Sequence, residues 1–107
     1  MKIWVDDLRP APIGYRRIKT VNEAIESIKN YNLMYKVSGG KKFYKIEVLD
    51  LDHDAGDCAK DGGDYIQILN WMEEFGVDNI PIHLHTMNPV GMENMRAVIR
   101  KNNWKEI

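Results

Sequence analysis

Short apolar blocks alternate with polar stretches along the whole chain. Ile3, Trp4 and Val5 form a run of strand-favouring residues that Asp6, Asp7, Leu8, Arg9 and Pro10 break off with charge and a proline. This pattern predicts a buried first strand ending in acid. Pro10, Pro12 and Gly14 mark a turn-rich connection, and residues 15–19 suit a short second strand. Thr20, Val21, Asn22 and Glu23 have the spacing of a capping box, so a helix should start there. Val21, Ala24, Ile25 and Ile28 then share one face, and that helix is expected to end between residues 31 and 34.

The same reading continues to the last residue. Residues 38–42 are the clearest loop signal, and residues 43–51 carry the aromatic and β-branched side chains of a central strand. Its far end turns abruptly from Leu49 and Leu51 to Asp52, His53 and Asp54, a second acidic strand end, followed by a glycine- and aspartate-rich loop over 55–63. Residues 64–75 read as a helix with Tyr65, Leu69 and Met72 on one face and Gly76 in the left-handed terminating position. A strand over 80–86, with Pro81 held near its start, also ends in polar residues. Asn88 and Pro89 open a last helix whose Met92, Met95, Val98 and Ile99 form a packing face, and residues 104–107 suit a short edge strand. Strands that alternate with helices in this way build a mainly parallel α/β sheet with right-handed crossovers.

Composition narrows the class without changing this picture. A chain of 107 residues with 44% hydrophobic and 29% charged residues is an ordinary globular domain. Fifteen Lys and Arg against 16 Asp and Glu leave a formal charge of -1, so no overall field draws the protein to nucleic acid. The basic clusters at residues 16–19, 41–42 and 96–105 read as solvated faces and helix ends. A single cysteine, Cys58, excludes an intrachain disulfide and a multi-cysteine zinc site. No signal peptide or membrane span is visible, and the cytoplasm is the expected location. Oligomeric state is not legible.

Candidate chemistry gathers where the strands end. In an open parallel sheet, ligands bind beyond the carboxyl ends of the strands, and this chain places Asp6 and Asp7, then Asp52, His53 and Asp54, then His85, Thr86 and Asn88 at those ends. Carboxylates crowded together call for a shared proton or a divalent cation; Mg2+, or alternatively Mn2+, on Asp6, Asp7 and Asp52 would suit a phosphate oxygen. His53 and His85 are candidate catalytic residues with Asp52, one histidine as base and the other as acid across a phosphorus. Arg9, Thr86 and Asn88 are candidate phosphate ligands, Arg9 through two parallel hydrogen bonds and Asn88 at a helix start with free amides. The competing readings are structural: Asp54, Asp57, Asp61 and Asp64 as caps or turn residues, Arg9 paired to an aspartate, His83 as a structural residue, or a zinc site on His83 and His85.

Three separated motifs, Asp6-Asp7-Leu8-Arg9, Leu51-Asp52-His53-Asp54 and His85-Thr86-Met87-Asn88-Pro89-Val90-Gly91 with Asn94-Met95, together resemble the cyclic-phosphate processing receiver-like domains over nearly the whole chain. The resemblance implies a three-layer, flavodoxin-like receiver fold with a short, mainly parallel sheet and about three helices. It also implies hydrolysis or other processing of cyclic phosphates, such as those at RNA ends, with Asp52 in the central acidic position of response regulators; joined to the acidic cluster, this makes a metal-assisted phosphoesterase acting on cyclic nucleotides or RNA-end cyclic phosphates the leading expectation. His53 and His85 match the family's histidines, and Thr86 stands where receivers place a hydroxyl residue. No counterpart appears for the lysine that follows the fifth receiver strand, which argues against ordinary aspartyl phosphorylation. The alternative is a non-catalytic module that senses a phosphorylated ligand or partner.

Overall fold

The computed structural model describes residues 1–107. Four strands, β1 (Lys2–Val5), β2 (Tyr15–Ile18), β3 (Val48–Leu51) and β4 (Ile82–Leu84), form an all-parallel sheet in the order β2-β1-β3-β4. Three helices, α1 (Val21–Val37), α2 (Ile66–Phe75) and α3 (Pro89–Lys101), follow β2, β3 and β4 in turn. This is the receiver-type α/β architecture expected. No helix is long and apolar enough to cross a membrane.

Strand alternation divides the side chains cleanly between the two faces. Ile3 and Val5, Ile18, Leu49 and Leu51, and Ile82 and Leu84 all point to one face and are buried against Val21, Ala24, Ile28, Ile68, Leu69, Met72, Met95 and Ile99 of the helices. The intervening residues Lys2, Trp4, Tyr15, Arg17, Asp50 and His83 lie on the opposite face. All three helices pack on the apolar face, α1 against α2 and α2 against α3. Here the layering departs from the expected three layers. The crossovers that run from β2 to β3 and from β3 to β4 lead in one direction, so right-handedness puts their helices on one side. The connection leading back from β1 to β2 would cross the other side, but it is the proline-rich loop of residues 6–14 and carries no helix.

Element boundaries differ from expectation for local reasons. Helix α1 is capped as predicted, Thr20 Oγ1 accepting the Glu23 amide at 3.1 Å, but it continues to Val37, since nothing breaks it before Gly39 and Gly40 adopt positive φ. Strand β3 starts only at Val48 because its partner β1 starts at Lys2. The chain before it instead forms a 3-10 turn, Lys42–Tyr44. Helix α2 starts at Ile66, Asp64 being used to accept the Ala55 amide at 3.0 Å, and it ends at Gly76 in the predicted left-handed conformation. The expected strand over 104–107 is reduced to one parallel bridge, Ile82 to Glu106, beyond β4.

Candidate functional site

At the carboxyl edge, the loops after β1, β3 and β4 enclose an open cleft of about 360 Å³ lined by Asp7, Leu8, Arg9, Asp52, Asp54, Gly56, Thr86, Met87 and Asn88. One wall is acidic. Ligand atoms of Asp6, Asp7 and Asp52 lie within 4.8 Å of one another. Asp6 is fully buried and tightly held: its Oδ1 accepts the amides of Leu8 and Arg9 at 2.8 and 2.9 Å, and its Oδ2 meets His85 Nε2 at 3.0 Å. Burial by itself would raise the Asp6 pKa, but the two amides and the imidazole outweigh it and hold the carboxyl below its usual value. Asp7 and Asp52 make no ion pair, and Asp52 Oδ1 accepts the amide of His53 at 2.8 Å. Asp7 comes in beside Gly56, where a Cβ would collide with its Oδ2.

The other wall is built by the start of α3. Asn88 Oδ1 accepts the Gly91 amide at 3.0 Å, and its Nδ2 reaches both oxygens of Asp54, at 3.4 and 3.3 Å. The helix-start amide expected to be free is thus already taken by the cap. Thr86 Oγ1 accepts the Asn88 amide at 3.1 Å. Arg9 is exposed at the cleft and pairs with no aspartate; one of its guanidinium nitrogens donates to the His85 carbonyl at 3.0 Å.

The two histidines proposed to act together are held in different places. His85 lies on the open face of the sheet, its Nδ1 2.6 Å from Asp50 Oδ1, its Nε2 on Asp6, and its ring stacked on Trp4 at 3.7 Å between centroids. Desolvation lowers its pKa, but hydrogen bonds to Asp50 and Asp6 more than compensate and raise it. His53 sits on the helix-covered side, its ring against Gly91 so closely that a Cβ there would fall within 2.7 Å of Nδ1. His53 Nδ1 meets Asp54 Oδ1 at 2.9 Å, and this bond, with Asn88 behind it, keeps the Asp54 carboxyl below its usual pKa. Neither ring lines the cleft; His53 adjoins it through Asp54. His83 shares the face of His85 but bonds through Nδ1 to the Ile107 carbonyl at 2.7 Å, and no group of clustered ligands joins it to His85 as a zinc site requires.

Sequence reading passed over Asp50 and Trp4, which clamp His85. The available signal was a single carboxylate interrupting the apolar run Val48, Leu49 and Leu51, two positions before the Asp52 that drew attention. An all-carboxylate donor set suits a hard divalent cation such as Mg2+ or Mn2+, and Asp7 and Asp52, unpaired beside a buried third carboxylate, fit one.

Fold and cleft together define a receiver-type α/β domain with an acidic site at the ends of its first and third strands. Residues 1–101 match the family model of the cyclic-phosphate processing receiver domain, and the chain belongs to that family. Comparisons with curated proteins and with solved structures give no match.

Proposed function

We propose that this domain is a phosphoesterase that opens a cyclic phosphodiester in the cleft, with Asp6, Asp7 and Asp52 holding a divalent cation, Mg2+ or Mn2+. The observation that carries this reading is a shared opening: Asp7 and Asp52, clustered with the buried Asp6, line the same cleft as Arg9, Thr86 and Asn88. When bound, such an ion would draw charge from a phosphate oxygen and ease the ionisation of water. Arg9 and Asn88 then orient the phosphate, and Thr86 fixes the Asn88 turn. The attacking water forms the new oxygen–phosphorus bond and gives its proton to the Asp54–His53 pair, whose carboxylate lines the cleft. The ring ester bond breaks, and its oxygen takes a proton from the solvent to which the cleft is open. Asp52 belongs to the acidic wall in this scheme. His85, engaged at both nitrogens, keeps Asp6 in place rather than carrying the second proton.

The test is 31P NMR of 2′,3′-cyclic nucleotides and of RNA with a cyclic phosphate end, incubated with the protein and Mg2+ or Mn2+. We expect loss of the cyclic resonance, and loss of that activity in Asp52→Asn. The reading fails if both substrates stay intact. A second reading, a module that senses a phosphorylated ligand without turnover, is favoured by the engagement of both His85 nitrogens, which leaves one histidine beside the cleft instead of two. It predicts tight binding of the cyclic phosphate with no change in its spectrum over time.

A further inference from the structure

The face of the sheet that bears no helix is grooved along β3. Val48 and Asp50 form the floor; Lys2 and Tyr15, of β1 and β2, stand on one side, and His83 and Ile107, of β4 and the segment bridged to it, on the other. The groove measures about 460 Å³ and shares no lining residue with the acidic cleft. Its floor holds a carboxylate that the fold leaves half used. The Asp50 side chain is only 7% exposed and its Oδ1 is taken by His85 Nδ1 at 2.6 Å, but its Oδ2 has no partner in the chain. Every fully buried side-chain oxygen and nitrogen is hydrogen-bonded, so Oδ2 is not sealed in and opens into the groove that Asp50 lines. A carboxylate oxygen held this deep calls for a donor. Charge is unbalanced at the same point. Asp50 and Asp6 share one imidazole, which even when protonated cancels only one of them, and Asp6 has the Leu8 and Arg9 amides besides. Lys2 does not pair with Asp50; its Nζ lies 5.6 Å from the centre of the Tyr15 ring, within the range of a cation–π contact.

We propose that this groove binds a small primary alkylammonium ion, its N–H donors on Asp50 Oδ2 and its carbon chain over Val48, between Tyr15 and Ile107. A neutral apolar molecule would leave Oδ2 without a donor, and an anion would be repelled by it. A hard divalent cation needs several oxygens at once, and no cluster of ligand groups includes Asp50. An ammonium group on a hydrocarbon stem meets each surface in turn. Asp50 supplies the charge, Val48 and Ile107 supply apolar contact, and Tyr15 supplies a ring face that already attracts an ammonium group. His83 adds an acceptor: its Nδ1 lies 2.7 Å from the Ile107 carbonyl, which can only accept, so in the neutral ring Nε2 keeps its lone pair. Glu47, at one end of the groove, adds a second carboxylate, 3.8 Å from the amino group of Met1. A groove of this volume lies toward the lower end of the range for small-molecule sites, which suits a short amine.

Amide-resolved NMR of the protein titrated with n-butylammonium chloride, and with n-butanol as its neutral analogue, tests this directly. Butylammonium should give saturable shifts centred on Lys2, Tyr15, Val48 and Asp50, and butanol should bind at least about tenfold more weakly. Asp50→Asn, which keeps a hydrogen-bonding group for His85 but removes the charge, should weaken butylammonium at least about tenfold. Lys2→Gln should act in the opposite direction: it removes the resident ammonium group from the Tyr15 ring, and binding should tighten about threefold. Lys2 is exposed, so this variant leaves the core intact. The site is overturned if butylammonium gives no saturable shifts, if the shifts fall outside the groove, or if butanol binds as tightly. Should Asp50→Asn lose its dispersed spectrum, Lys2→Gln decides: unchanged or weakened binding in that variant overturns the site.

Discussion

His85 and His53 end neighbouring strands at the same edge of the sheet, yet they occupy opposite kinds of environment. His85 is packed on the face that bears no helix, where Trp4 covers its ring and Asp50 and Asp6 take both of its nitrogens. His53 is packed on the helix-covered face, where Gly91 makes room for its ring and one nitrogen meets an exposed carboxylate. The first imidazole bridges two buried acids. The second keeps Nε2 without a partner in the chain and touches the cleft through Asp54. Two histidines at matching strand ends are therefore not interchangeable: the face each one falls on decides whether its nitrogens are consumed by the fold.

The sharpest way to break this contrast is to remove each ring. His85→Ala strands Asp50, which is 5% exposed, without its partner and takes the charge-balancing group from Asp6. Breaking a buried pair in this way costs about 3–5 kcal/mol. His53→Ala loses one bond to an exposed carboxylate and some ring packing, and should cost about 1 kcal/mol. Urea unfolding of the two variants measures both; equal costs would show that the faces do not differ as described.

A smaller effect is expected at Gly91. In Gly91→Ala the new methyl group would overlap the His53 ring, and either the ring or the start of α3 must move, at about 1–3 kcal/mol. In the double variant Gly91→Ala with His53→Ala the clash disappears, so the two costs should not add. Additive costs in that cycle would mean that His53 does not pack on Gly91.

The contrast also explains what was legible in the sequence. Strand ends could be located because the apolar residues stop at Asp6, Asp52 and His85, and the caps at Thr20 and Asn88 and the stop at Gly76 are local chemistry that needs no tertiary context. The clustering of Asp6, Asp7 and Asp52 followed from parallel strands sharing one edge. The opposite facing of His53 and His85 follows from alternation carried one step past the strands, His53 keeping the parity of Leu51 and His85 that of His83, but their common strand edge was given more weight than their parity. The second helical layer was expected from the class of fold, and only the absence of any helical pattern in residues 6–14 could have argued against it. Asp50 was missed because a carboxylate inside an apolar strand has no meaning until its partner on the next strand is known.

The pH dependence of stability sharpens the comparison at the smallest scale. The folded-state pKa of His85 lies above its unfolded value, so the folded protein holds that proton more tightly than the unfolded chain. The resulting stabilisation is fully present below the unfolded histidine pKa, about 6.5, and is lost as pH rises through the higher folded value. The loss is only partial in structural terms, because a neutral imidazole still donates one hydrogen bond to Asp50 or Asp6. Asp6 contributes in the opposite sense: its lowered pKa stabilises the fold above the unfolded value of 3.8 and that contribution disappears as acid protonates it. Denaturant unfolding at a series of pH values in EDTA should therefore show stability falling from pH 6 toward pH 9, and His85→Ala should flatten this alkaline limb while His53→Ala preserves it. An alkaline limb that survives in His85→Ala would place the titrating group elsewhere and remove the distinction between a histidine spent on the fold and one left for the cleft.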